Sequence, residues 1–95
     1  MRTQHINRGT LLAAIERWGR EAQLEMIQEE AMELALALQQ SKRASKDPAE
    51  MMNRVIDELA DMRIMMAQAD LLFDGDRINE RVKFKMERLE IRLAQ

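Results

Sequence analysis

The sequence predicts an all-α fold, a four-helix antiparallel bundle-like domain completed by oligomerisation, and three observations carry that prediction. Hydrophobic residues fill 46% of the 95 positions but aromatic ones only 3%, with nine Met, one Trp and no Tyr, an aliphatic and thioether composition that suits helices better than strands. Three Gly and one Pro leave few places to break a helix. Between those breakers the apolar residues recur at i, i+4 and i+7, the spacing of one helix face.

Each element follows from its punctuation. A first helix starts near Thr10 as cap, after a flexible segment over 1–9, and stops at Gly19, where a left-handed residue is cheap. The second follows almost at once, from about Arg20 to Gln40. The polar run SKRASKDP is the longest expected loop, and at its end Asp47 can cap with Pro48 in the first helical position. The third helix runs from Pro48 to about Leu72 and is ended by FDGD around Gly75; the fourth runs from about Asp76 to the C-terminus.

A chain of 95 residues is one domain with a limited core. The apolar residues of the second and third helices, such as Leu36, Met51, Ile56 and Ile64, spread beyond one stripe, so a second subunit is expected. No cysteine is present, which excludes disulfides and thiolate metal sites. No N-terminal stretch has the basic start and apolar run of a signal or membrane span, so the expectation is a soluble, cytoplasmic protein with no membrane contact. Fifteen basic residues against seventeen acidic ones argue against binding a nucleic acid polymer.

The candidate chemistry lies in two carboxylate pairs, Glu30 with Glu33 and Glu58 with Asp61. Each pair is spaced i, i+3, side by side on one helix. The second helix has the apolar stripe Leu24, Ile27, Ala31, Leu34 and Leu38, with Met26, Glu30, Glu33 and Ala37 beside it. The third has Met52, Val55, Leu59, Met62 and Met66, with Arg54, Glu58, Asp61 and Met65 beside it. Packed antiparallel, the two pairs can face each other across the seam, where without a partner they repel and are costly to desolvate. A divalent cation removes both penalties. The competing reading is a solvated helix face, since Glu87 with Glu90 and Asp47 with Glu50 share the spacing with no site around them.

These motifs resemble the MazG-like, all-α nucleotide pyrophosphohydrolases. The family pattern E-x-x-E followed by E-x-x-D is matched by Glu30-Ala-Met-Glu33 and Glu58-Leu-Ala-Asp61. The wording WGREAQLEMIQEEAMEL and DELADMRIMM is similar too, and Lys85-Met-Glu-Arg88 resembles the basic segment that such proteins use on nucleotide phosphates. The resemblance covers about Ile15 to Leu93. It implies hydrolysis of a nucleoside triphosphate between the α and β phosphates, with Mg²⁺, or Mn²⁺ as a substitute, on Glu30, Glu33, Glu58 and Asp61. It also implies a homodimer or homotetramer. The catalytic base is one of these four acids or neighbouring Glu29, with Glu33 preferred and Glu30 next, and the phosphates fall to Lys85 and Arg88.

Other candidates carry less. Arg81 and Arg92 share the basic row with Lys85 and Arg88, beside the apolar row Ile78, Val82, Met86, Leu89 and Leu93, and such stems often only cover a core. Trp18 can stack on a base, though a lone Trp near a helix end more often anchors packing. His5 is incidental, and Gln23 is polar lining of the site. Two alternatives stand beside the triphosphatase: a phosphoribosyl-ATP pyrophosphatase-like enzyme, which shares the acidic pattern, and a non-catalytic helical oligomer in which the acids serve solubility or pairing.

Overall fold

The computed structural model describes residues 5–43 and 47–95. Residues 1–4, and residues 44–46 in the middle of the expected SKRASKDP loop, lie outside them. The fold is all-α, with three helices: α1 (Arg8–Ser41), α2 (Pro48–Leu72) and α3 (Gly75–Leu93). Among the described residues there is no strand.

The two helices expected between Thr10 and Gln40 are one element with a break. Gly19 stands at φ 86°, ψ 161°, outside helical geometry, and the helix resumes at once on either side of it. That backbone region is open essentially to glycine alone. The cap of α1 is Asn7 rather than Thr10: its side chain accepts from the Thr10 backbone N–H at 3.0 Å, so Arg8 and Gly9 are already helical. Asn is the stronger cap residue of the two.

The later boundaries fall where the punctuation puts them. Asp47 caps α2 by accepting from the Ala49 N–H at 3.0 Å, with Pro48 in the first turn, where its missing donor costs nothing. Asp74 caps α3, accepting from Asp76 and Arg77 at 3.1 and 3.2 Å. A Cβ on Gly75 would stand 3.2 Å from the Asp70 carbonyl oxygen, so the absence of a side chain lets α3 leave close against the end of α2.

α1 and α2 form an antiparallel hairpin, joined by Arg54 donating to Gln40, Arg20 donating to the Leu72 carbonyl, and Gln68 donating to the Leu11 carbonyl at 3.4 Å. α3 touches α2 and not α1, and buries none of its side chains. One chain therefore does not close a four-helix bundle. The radius of gyration is 16.3 Å, against about 13 Å for a compact domain of this size.

The apolar stripes read from the sequence enter the seam only in part, through Ile27 and Leu34 on α1 and Val55 and Met62 on α2. The buried and half-buried line on α1 is Gln23, Ile27, Glu30, Leu34 and Ala37, and on α2 it is Met51, Arg54, Val55, Glu58, Met62 and Met65. Met52, Leu59 and Met66, placed in the apolar stripe of α2, are 64%, 48% and 50% exposed. Each helix is rotated so that the row carrying its acids faces the other helix.

Candidate functional site

Glu30 and Glu58 sit half-buried at mid-helix in α1 and α2, and the antiparallel hairpin sets them opposite each other. Glu33, one turn along α1 from Glu30, is exposed at the edge of the seam. One carboxylate oxygen from each of Glu30, Glu33 and Glu58 lies within 4.8 Å of the others. Glu30 Oε2 and Glu58 Oε2 are buried and make no hydrogen bond.

The electrostatics follow from that crowding. Burial, then the charges of Asp61 and Glu33, push the Glu30 carboxyl above its usual range. Burial, then the charges of Glu33 and Asp61, do the same to Glu58, with the Arg54 guanidinium opposing. Both acids hold their protons more tightly than free carboxylates, first because they are desolvated and then because their neighbours are also anions.

Of the four acids named from the sequence, three converge as ligand atoms. Asp61 stands outside that triangle, exposed, yet its charge raises both half-buried acids. Glu29 is exposed on α1. Lys85 and Arg88 are exposed on α3, which does not contact α1, so the chain does not bring them onto the triangle by itself.

Trp18 is 60% exposed and does not anchor the core; the Arg17 guanidinium lies 5.7 Å from its ring centre. Gln23, expected to line the site, is 2% exposed and belongs to the seam. Arg54, one turn before Glu58 on α2, donates to Gln40 of α1. Arg54 at i−4 from Glu58 was a visible signal for a moderating cation.

A groove of about 410 Å³ lies elsewhere. It is lined by Ile6, Ile56, Leu59, Ala60, Arg63 and Ile64, with no carboxylate. What the acid triangle can do chemically is bind a hard cation through oxygens or hold protons; it offers no thiolate or imidazole for a softer ion. No family model matches the chain, and no curated protein or solved structure matches it.

Proposed function

We propose that the chain is a Mg²⁺-dependent nucleoside triphosphate pyrophosphohydrolase of the MazG-like kind, cleaving between the α and β phosphates and working as a homodimer or homotetramer. The observation that carries this reading is the meeting of Glu30, Glu33 and Glu58 within 4.8 Å, with two buried carboxylate oxygens left unpartnered. Orphaned buried acceptors are costly, and an oxygen-only donor set fits Mg²⁺ or Mn²⁺.

Glu30, Glu33 and Glu58 would hold such an ion, with Asp61 beside them. What the ion supplies when bound is neutralisation of polyphosphate oxygens and acidification of water. The remaining work belongs to the side chains. Glu33, exposed at the edge of the seam, would accept the proton of the attacking water. Water adds across the α–β anhydride, and the products are a nucleoside monophosphate and pyrophosphate. Lys85 and Arg88 would hold the charged phosphates, and Trp18, exposed on α1, offers a face for the base.

The test is pyrophosphate release from a panel of ribo- and deoxyribonucleoside triphosphates with Mg²⁺ or Mn²⁺, with the Glu33→Ala protein as control. Metal-dependent monophosphate and pyrophosphate, absent in the control, support the reading. Release of orthophosphate overturns the bond assigned. No turnover together with no metal-induced stabilisation returns the chain to a non-catalytic helical oligomer.

A further inference from the structure

Two polar side chains close the acid rows at the same end of the hairpin. On α1 the row of Glu30 and Glu33 continues through Ala37 to Gln40, and on α2 the row of Glu58 and Asp61 begins at Arg54, in steps of three and four residues on each helix. Both Gln40 and Arg54 are half-buried. They are joined across the two helices by Arg54 Nη1 donating to Gln40 Oε1.

A carboxylate would be the stronger acceptor for this guanidinium, since both partners then carry charge. One stands within reach. Glu58 lies four residues after Arg54, the spacing at which side chains on one helix meet, and its buried Oε2 makes no hydrogen bond. The hairpin supplies the reason that the pair stays open. Counted from the level at which Glu30 and Glu58 face each other, Gln40 is ten residues along α1 and Arg54 four residues along α2, about 15 and 6 Å along the two helix axes. To reach Gln40 the guanidinium has to extend away from the acids. Its charge still acts on Glu58, where it opposes the upward push of burial and of the neighbouring carboxylates.

We propose that Gln40 is a positioning residue of the acid site: by holding the Arg54 guanidinium it keeps that cation off the Glu58 carboxylate, and so leaves the oxygens of Glu30, Glu33 and Glu58 open to a divalent ion. This role rests on the metal binding in the functional reading and goes beyond it in naming what keeps the site open. Without the Gln40 acceptor, Arg54 closes onto Glu58. A divalent ion then has to displace a cation already in place. An exposed ion pair changes an equilibrium by up to about fivefold, and a half-buried one by more.

Mn²⁺ alone is the probe, titrated into the full chain without nucleotide and followed by electron paramagnetic resonance of the free ion. Gln40→Leu keeps the volume of the side chain and removes the acceptor. It should raise the Kd for Mn²⁺ by about fivefold or more, and adding Arg54→Gln to the same chain should return the Kd to that of the unsubstituted protein or below it. A Gln40 that only packs between the helices gives no such rescue, because the second substitution then adds its damage to the first. Gln40→Glu keeps an acceptor for the guanidinium and serves where Gln40→Leu does not fold: it should bind Mn²⁺ at least as tightly as the unsubstituted protein, and weaker binding overturns the proposal. A Kd unchanged in Gln40→Leu, or raised and not restored by Arg54→Gln, overturns the positioning role and leaves the metal site standing. Absence of Mn²⁺ binding by the unsubstituted protein overturns the metal site, and the positioning role with it.

Discussion

Glu30 and Glu58 face each other across the α1–α2 seam, each with its Oε2 buried and without a hydrogen-bond partner, and each with a ligand oxygen within 4.8 Å of one on Glu33. A helix pair held together by aliphatic side chains would be more stable with Leu or Gln at these positions, so the acids weaken the hairpin when nothing neutralises them.

The pH dependence of stability should show this. Both groups have folded-state pKa values raised above the usual carboxylate range, by burial first and by neighbouring acids second. Protonation therefore favours the folded state. The stabilisation is complete below the usual carboxylate range and is lost as pH rises through the raised folded values. In EDTA, Tm should increase on acidification from neutral pH toward the ordinary carboxylate range, and Glu58→Gln should flatten that slope while raising Tm at neutral pH. A Tm that falls on acidification over this window, equally in both proteins, would sink the account.

Divalent cation should substitute for the protons. Ligand binding to the folded state alone stabilises by RT ln(1 + [L]/Kd), about 2.7 kcal/mol at a hundredfold excess over Kd. At neutral pH, Mg²⁺ or Mn²⁺ is expected to raise Tm in the unsubstituted protein and much less in Glu33→Ala, with turnover of that variant lower by about 100-fold or more. Equal metal-induced shifts in the two proteins would place the ion somewhere other than the acid triangle.

Gln68 is 2% exposed and donates from Nε2 to the Leu11 carbonyl at 3.4 Å, tying the segment of α1 before the Gly19 break to α2. Removing it leaves a cavity and takes from the Leu11 carbonyl its donor on α2. Gln68→Ala should cost about 1–3 kcal/mol, a drop of several degrees in a domain of this size. Hydrogen exchange at Leu11 and its neighbours should rise more than exchange near Glu30, and a uniform rise along α1 would argue against this local tie.

The parts of this arrangement that were legible in the sequence are those encoded locally. Gly19, Asp47-Pro48 and the FDGD turn act through their own backbone preferences, so the break and two helix starts could be placed without knowing any contact. The meeting of the acid pairs followed from equal i, i+3 spacing on two helices expected to be antiparallel. The rotation of the seam was not legible. On α2 apolar residues occupy both the seam and the outer row, and periodicity cannot say which row faces the helix of the same chain. The exposure of Trp18 and the reach of α3 depend on how elements are placed relative to one another, for which no residue carries a local signal. Asn7 is a local signal of standard kind, with Thr10 as a competing cap nearer to the apolar run.

The break in α1 rests on one backbone conformation, and it separates a torsional cost from a steric one. Gly19 has φ 86° and ψ 161°, and a Cβ built there meets nothing within 4 Å. An Ala at this position fits the space and is resisted only by its own backbone, at about 1–3 kcal/mol. The chain could avoid that strain by becoming helical through the position. Such straightening would carry the first turns of α1 away from Gln68 while leaving Arg20, its bond to the Leu72 carbonyl and its guanidinium 4.9 Å from the Phe73 ring centre. Gly19→Ala is therefore expected to lower Tm, and to raise hydrogen exchange over 8–18 more than over 20–40. A variant as stable as the parent, with unchanged exchange at Leu11, would show that the positive φ is not what holds the two parts of α1 at their angle.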